Sequence, residues 1–193
     1  MFDLNGKTAL ITGGCGLLGV QHAEAILEFG GEVILTDVIS DTSRVIKLKE
    51  KYGTNVSSVY MDVTDKSSIQ KVVDKFEKID ILINNAALDP KVEDGLEYKN
   101  KFEHLDLDSW NKTLDVILNG TFLCSQVVVN KMLSTGLESE YCRDGGVILN
   151  IASDLSIISP DQRIYGDGVK PASYGVAKAG VVNLTKYLST YLA

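Results

Sequence analysis

A chain of 193 residues, 45% hydrophobic and 23% charged, can bury a sizeable core in one domain and has the composition of neither a disordered chain nor a fibre. Its formal charge of −7 argues against nucleic acid or an anionic membrane as partner, because either needs a basic face to neutralise phosphate. The N-terminus "MFDLNGKTALITGG" carries no secretory signal and no apolar run approaches membrane-spanning length, so a cytoplasmic protein is expected.

Apolar runs then alternate with helical periodicity. "KTALIT" predicts a buried strand, and "LLGVQHAEAILEF" places apolar residues at helical steps until Gly30 and Gly31 stop it. "EVILTD" predicts a second strand, residues 41–52 a polar helix, "VSSVYMDV" a third strand, and "DKSSIQKVVDKFEK" a helix capped by Thr64 or Asp65. "IDILINNAA" predicts a fourth strand, residues 108–134 a long helix, "GGVILNIAS" a fifth strand, and residues 171–192 a last helix. Strict alternation requires parallel strands joined by right-handed crossovers, which makes an α/β fold, a doubly wound sheet in three layers. The first, fourth and fifth strands have the more continuous apolar runs and are expected at its buried centre. No repeat or linker divides the chain, so residues 1–193 are expected to form one domain. The two long irregular stretches, residues 88–106 and 155–171, follow the C-terminal ends of strands, where such sheets bind ligands.

"TGGCGLLG", residues 12–19, lies between the first strand and the first helix. There glycines let the backbone approach a pyrophosphate, whose charge the free amides and the helix dipole favour. The alternative is a tight strand-to-helix turn with no ligand. Asp37 closes the second strand, where a carboxylate accepts from adenosine ribose hydroxyls and repels a 2′-phosphate; a turn or capping aspartate is the other reading. With no Arg or Lys in the glycine turn or immediately after Asp37, NAD is expected over NADP.

"SYGVAKAG", residues 173–180, sets Tyr174 and Lys178 on one helix face. A phenol titrates near pH 10, and an adjacent ammonium brings it toward working pH; a surface pair without function has the same spacing. Ser153 ends the fifth strand at the rim of the sheet, and the small residues around Tyr174 would admit a cofactor or another backbone. The three cysteines, Cys15, Cys124 and Cys142, have neither CxxC nor metal-ligand spacing, which fits a reducing compartment and small apolar fillers; no metal site is expected. His22 and His104 stand apart from every motif.

In their order and spacing "TGGCGLLG", "MDV", "ILINNAA", "NIAS" and "YGVAK" resemble the short-chain dehydrogenase/reductases, mostly of the classical type, over the whole chain. The resemblance implies a Rossmann fold and an NAD-dependent oxidoreductase that passes hydride between the nicotinamide and a secondary alcohol or its ketone. It matches Gly13, Gly14, Cys15, Gly16 and Leu18 to the cofactor turn, Asp37 to the ribose acceptor, Asp62 and Val63 to adenine contacts, and Asn85 and Ala86 to a contact near the cofactor ribose. Asn84 matches a sheet-stabilising asparagine, Ser153 the residue that binds the substrate oxygen, Tyr174 the general acid/base, and Lys178 the lysine that lowers its pKa and holds the ribose; Tyr174 and Lys178 thus also contact the cofactor. Homodimers or homotetramers, formed through helices 108–134 and 171–192, are implied as well.

Three departures accompany the match. Leu17 stands where classical members have glycine, and Gly13, Gly16 and Gly19 have the spacing of the extended branch. The family's proton-relay asparagine falls on Ile117, and Asn119 lies on a substantially different helix face. Family members continue through two more strands and a substrate-covering loop after the Tyr/Lys helix, so an incomplete C-terminal end is expected. Asp161, Gln162, Arg163, Tyr165 and Asp167 suit a hydroxyl-rich ligand such as a sugar, or a solvated loop. "NNAALDPKV" is similar to members associated with bacterial surface-sugar or flagellin modification. A 3-oxoacyl thioester or steroid substrate, and a non-catalytic dinucleotide-binding scaffold, are the alternatives.

Overall fold

Five short runs rich in β-branched and aliphatic residues become strands: β1 (Thr8–Thr12), β2 (Glu32–Asp37), β3 (Val56–Tyr60), β4 (Ile81–Asn84) and β5 (Val147–Asn150). The structure is a computed structural model that describes residues 2–39, 42–88, 101–136 and 145–192. All strand pairs are parallel, in the order β3-β2-β1-β4-β5. The chain thus winds outward from β1 to β3, then returns to place β4 on the other side of β1. In such sheets ligands bind at that reversal, outside the C-terminal ends of the strands, here β1 and β4.

The chain divides into two compact units, one made of Met1–Ala86 and Leu123–Ile151, the other of Ala87–Phe122 and Ala152–Ala193. In the first unit, successive side chains along each strand point to opposite faces. Ala9, Ile11, Val33, Leu35 and Ile83 join Val20, Ala23 and Leu27 of α1 (Leu17–Glu28) and Val45 and Leu48 of α2 (Ser43–Tyr52) in one buried cluster. Leu10, Ile34 and Leu82, of opposite parity, are equally buried, as are Ile69, Val72 and Val73 of α3 (Lys66–Val73) and Cys124, Val127 and Val128 of α5 (Gly120–Gly136). Asn84, on the Leu82 face, bonds Ser125 of α5, which places that helix on the second layer. Each side chain fully buried in such layers contributes about 1.5–3 kcal/mol.

Helix ends follow local chemistry. α1 stops in a Schellman arrangement: Gly30 takes φ +87°, its N–H donates to the Leu27 carbonyl, and the Gly31 N–H donates to that of Ile26. Thr42 caps α2 by accepting from the Val45 N–H. Of the two residues expected to cap α3, Asp65 does so, while Thr64 bonds back to Asp62.

In the second unit α4 (Leu107–Leu114), capped by Asp106, runs through a π-helical turn (Asp115–Asn119) into α5, most of which belongs to the first unit. α6 (Ala172–Tyr191) follows two 3-10 turns, Asp154–Ser156 and Gln162–Tyr165. Ile117 from the π turn is wholly buried against Ala177 and Val181 of α6, with Leu114, Leu118 and Tyr174 packed around them. A Cβ on Gly180 would lie 2.9 Å from two carbons of Leu118, so glycine is what lets α6 and the π turn approach.

Two expectations are corrected. The buried centre is β2-β1-β4, not the first, fourth and fifth strands: β5 is paired on one side only among the described residues, and Val147 and Leu149 are 56% and 46% exposed. Pairing order, a nonlocal property, decides burial here over the apolar run itself. The stretch 107–134 reaches 28 residues of helix, apolar and long enough by composition to cross a bilayer, although no unbroken apolar run of that length exists. Its buried residues, which include Thr113, Ile117 and Thr121 in one unit and Cys124, Ser125, Val127 and Val128 in the other, are those of a core helix.

Candidate active site

The turn after β1 is built by removing side chains. Gly13 has φ +61°, and a Cβ there would lie 2.9 Å from the Ala86 Cα. A Cβ on Gly14 would meet the Ile11 carbonyl at 2.9 Å, and one on Gly19 would fall on the Gly13 carbonyl and sit 2.6 Å from the Gly14 Cα. Gly16 is less constrained, its Cβ reaching the Gly13 carbonyl at 3.2 Å. The departure at Leu17 is thereby accounted for: Leu17 and Leu18 project into solvent, 65% and 56% exposed, and the close packing is done by Gly19. α1 begins at Gly16 with no side-chain cap and no acidic residue in its first turn, so the positive end of its dipole is left for an anion.

The carboxylate of Asp37 is half-buried and accepts from the N–H groups of Cys15 and Ile39, each at 3.2 Å. One oxygen serves each bond, so further lone pairs stay available for hydroxyl donors. Cys15 turns its side chain into the core, and its N–H serves Asp37. Asp62 accepts from the N–H and hydroxyl of Thr64 through one oxygen, and its own N–H donates to Ser68. Val63 is buried, which leaves its backbone as the part able to meet a ligand.

Thr12, which the sequence motif includes without assigning it work, stitches β1 to β4. Its hydroxyl accepts from the N–H groups of Asn85 and Ala86, both at 3.0 Å. The Asn85 side-chain amide donates to the carbonyls of Thr12 and Gly13. Asn84 donates to Ser125 at 3.0 Å and to Asn150 at 2.8 Å, joining β4 to α5 and β5, while its own side-chain oxygen is buried without a partner. A cleared turn, an uncapped helix start and a carboxylate at the end of β2 together fit the diphosphate and ribose of a nicotinamide dinucleotide.

In the second unit Tyr174 and Lys178 share a face of α6, one turn apart. Lys178 is only 3% exposed, and its ammonium lies 6.0 Å from the centre of the Tyr174 ring. A second cation, Lys170, stands 4.0 Å from the same ring centre, a neighbour that sequence spacing does not reveal. Ser153 caps the turn Asp154–Ser156: its hydroxyl donates to Asp154 at 2.9 Å and accepts from the Leu155 N–H. That turn packs on α6 where Gly175 leaves room, since a Cβ there would stand 3.1 Å from the Leu155 carbonyl.

At the position expected for the relay asparagine, Ile117 is buried and presents no polar side chain. Asn119 donates to Asp115 on the exposed side, so it does not take that place. The π turn persists nonetheless, closed by the Gly120 N–H donating to the Asp115 carbonyl. Of the loop residues expected to meet a sugar, Asp161 and Arg163 neutralise each other at 2.7 Å and Gln162 is bound to the backbone of Lys170. Tyr165 is half-buried and Asp167 exposed. His22 is half-buried in α1 and His104 exposed. Burial pushes the Cys124 thiol up to about 12, which keeps it protonated and unreactive. Cys142 lies outside the described residues.

A profile of the family described as short chain dehydrogenase matches residues 7–193. The NAD-dependent glycerol dehydrogenase of Listeria innocua serovar 6a is 31% identical over 192 residues, 97% of this chain and 65% of that protein. The D-threitol dehydrogenase of Mycolicibacterium smegmatis is 31% identical over 194 residues, again 97% and 65%. The crystal structure of a gluconate 5-dehydrogenase from Burkholderia cenocepacia J2315, in complex with NADP and tartrate, aligns with a TM-score of 0.77 at 25% identity, over 98% of this chain and 67% of that one. The chain therefore spans a little under two thirds of the length of the curated relatives it matches.

Proposed function

This chain belongs to the short chain dehydrogenase family, and on that premise we propose that it acts as an NAD-dependent oxidoreductase on a secondary alcohol or its ketone, residues 1–193 serving as one dinucleotide-binding domain. The observation that carries the proposal is a buried ammonium, Lys178, one helical turn from the phenol of Tyr174. A lysine is almost never so buried unless paired, and here its charge favours the phenolate.

When bound, the dinucleotide supplies the hydride acceptor for oxidation or the hydride donor for reduction. The chain does the rest. The turn from Gly13 to Gly19 holds the diphosphate, Asp37 takes the adenosine ribose hydroxyls, and the backbones of Asp62, Val63, Asn85 and Ala86 line the remaining cofactor contacts. The hydroxyl of Ser153, already held by the Leu155 N–H, orients the substrate oxygen; its proton now goes to Asp154, so it accepts from a substrate hydroxyl or exchanges that bond. Tyr174 takes the hydroxyl proton in oxidation and returns it in reduction, while Lys178 stabilises the phenolate and bonds the nicotinamide ribose.

NAD is favoured over NADP because the charge of Asp37 meets no cation in the glycine turn; the NADP in the gluconate 5-dehydrogenase crystal is a property of that protein. A polyhydroxylated substrate is supported by the names of the glycerol and threitol dehydrogenases. A role in surface-glycan or flagellin modification has only "NNAALDPKV" behind it, and residues 89–92 of that stretch lie outside the described residues. Cysteines without CxxC or metal-ligand spacing suit a cytoplasmic enzyme, and the exposed Tyr187 and Tyr191 of α6 suit a homodimer or homotetramer.

Incubation with NAD and a panel of polyols, sugars and hydroxy acids, followed by absorbance of reduced nicotinamide, tests the proposal. The second reading, a dinucleotide-binding scaffold, is favoured by Ile117 at the relay position. It prevails if NAD raises the thermal midpoint and no alcohol yields NADH.

A further inference from the structure

The helix that carries Tyr174 starts without a side-chain cap. Pro171 precedes its first residue, lacks an N–H and sits at φ −67°, and the Tyr174 N–H reaches back to the Pro171 carbonyl at 3.3 Å. The chain ahead of that proline is fixed from a loop. The side-chain amide of Gln162 accepts from the Lys170 N–H at 2.9 Å and donates to the Lys170 carbonyl at 3.2 Å, so one side chain grips both backbone groups of the residue before Pro171. Two such bonds set direction as well as distance.

Gln162 is itself held. It opens the 3-10 turn Gln162–Tyr165, whose start is capped by Asp161, and the Asp161 carboxylate also takes the Arg163 guanidinium at 2.8 and 2.7 Å. The Gly168 N–H closes on the Tyr165 carbonyl at 3.1 Å, which brings the chain back toward Lys170. With its backbone gripped, Lys170 sets its ammonium over the Tyr174 ring, 4.0 Å from the centre, nearer than Lys178 at 6.0 Å. A cation there is drawn to the ring face and resists its swing. The attraction is to the π cloud, so it stands beside any bond that the ammonium donates elsewhere.

The elements packed on α6 bring other groups toward Tyr174. Leu114, Ile117 and Leu118 meet it with apolar side chains, while Asp108 and Lys112 of α4 and Asp115 of the π turn are exposed. In the turn Asp154–Ser156 the Asp154 carboxylate accepts from the Ser153 hydroxyl and the Leu155 N–H, both at 2.9 Å. The cations over the ring are Lys170 and Lys178.

Resting on the reading of Tyr174 as the proton carrier, we propose that Gln162 and Lys170 form a clamp on its ring, Gln162 fixing the backbone of Lys170 and Lys170 holding the phenol in place with its charge. Both are positioning residues, acting through Tyr174. The clamp adds a second positive charge to that of Lys178, which favours the phenolate further, and it ties the phenol to the loop 162–170.

Nuclear magnetic resonance of the full chain, with tyrosine isotope-labelled at Cζ, follows ionisation of the phenol without turnover, and the resonance missing from Tyr174→Phe identifies it. Lys170→Met should raise its midpoint by about 0.5–1 in pH, the effect of one charge lost a few ångströms away in a largely aqueous dielectric. Lys170→Arg should keep the midpoint; a rise there equal to that of Lys170→Met overturns the clamp. Gln162→Ala should raise it as well, and the double variant no further than Lys170→Met alone, because Gln162 acts through Lys170. A midpoint unmoved by either single change, or two rises that add, overturns it too. With an alcohol that the unaltered protein oxidises, Gln162→Ala should lower kcat by about tenfold, and a kcat that does not fall counts against the clamp. Raised midpoints in both single variants with no alcohol oxidised keep the clamp and reject the dehydrogenase. Oxidation of an alcohol with midpoints that do not move does the reverse.

Discussion

The two units solve different problems with different material. At the turn after β1 the work is done by backbone, and Gly13, Gly14 and Gly19 matter for the Cβ atoms they lack. On α6 the proposed chemistry belongs to side chains, the Tyr174 phenol with the ammonium groups of Lys170 and Lys178 4.0 and 6.0 Å from its ring centre, packed on Ile117, Ala177 and Val181. The lesson is that a binding cradle and a reactive group fail differently. Adding one methyl should break the first, while removing one oxygen should silence the second and leave its fold intact.

Tyr174→Phe is the sharpest break. Loss of the phenol oxygen should lower kcat by about 10²–10⁴-fold while the dinucleotide still binds, measured by NADH formation beside a fluorescence titration with NADH. Turnover near the unaltered rate would remove Tyr174 from the chemistry. Ile117→Ala should cost about 2–5 kcal/mol in urea unfolding, because the side chain is wholly enclosed between the π turn and α6. A loss under about 1 kcal/mol would mean that the site collapses around the cavity instead of depending on its shape.

Gly19→Ala and Gly16→Ala form an internal pair in the cradle. The first places a methyl on the Gly13 carbonyl and should weaken dinucleotide binding by at least about tenfold; the second meets that carbonyl only at 3.2 Å and should do much less. Equal effects would show that chain flexibility, not the close approach, governs the turn. The smallest change concerns selectivity. Asp37→Asn keeps an acceptor for the Cys15 N–H but removes the charge, and should narrow the proposed preference for NAD over NADP by about tenfold in Kd, roughly 1.4 kcal/mol.

Much of this was legible in the sequence because it is local. The glycine turn, the stop at Gly30 and Gly31, and the Tyr174–Lys178 spacing each depend on a few neighbouring residues. What escaped is nonlocal. "VILN" of β5 has the apolar run of a central strand, yet the exposure of Val147 and Leu149 follows from pairing on one side only among the described residues. Thr12 reads as an ordinary strand end until its hydroxyl is seen to accept from both Asn85 and Ala86. Lys170 lies on the Tyr174 ring because Gln162, far back in a loop, fixes its backbone. The π turn at Asp115–Asn119 leaves no mark in residue type, since Leu118 and Gly180 reveal their fit only when the helices meet.

The central claim is that a buried ammonium makes the Tyr174 phenol acidic enough to exchange protons at working pH. In the oxidation direction at saturating NAD, kcat/KM for an alcohol should rise with pH through the phenol and then level off, with a midpoint below the usual value of about 10. Lys178→Met should move that midpoint upward toward about 10, because the charge that favoured the phenolate is gone. A midpoint that stays where it was, or moves down, would contradict the account.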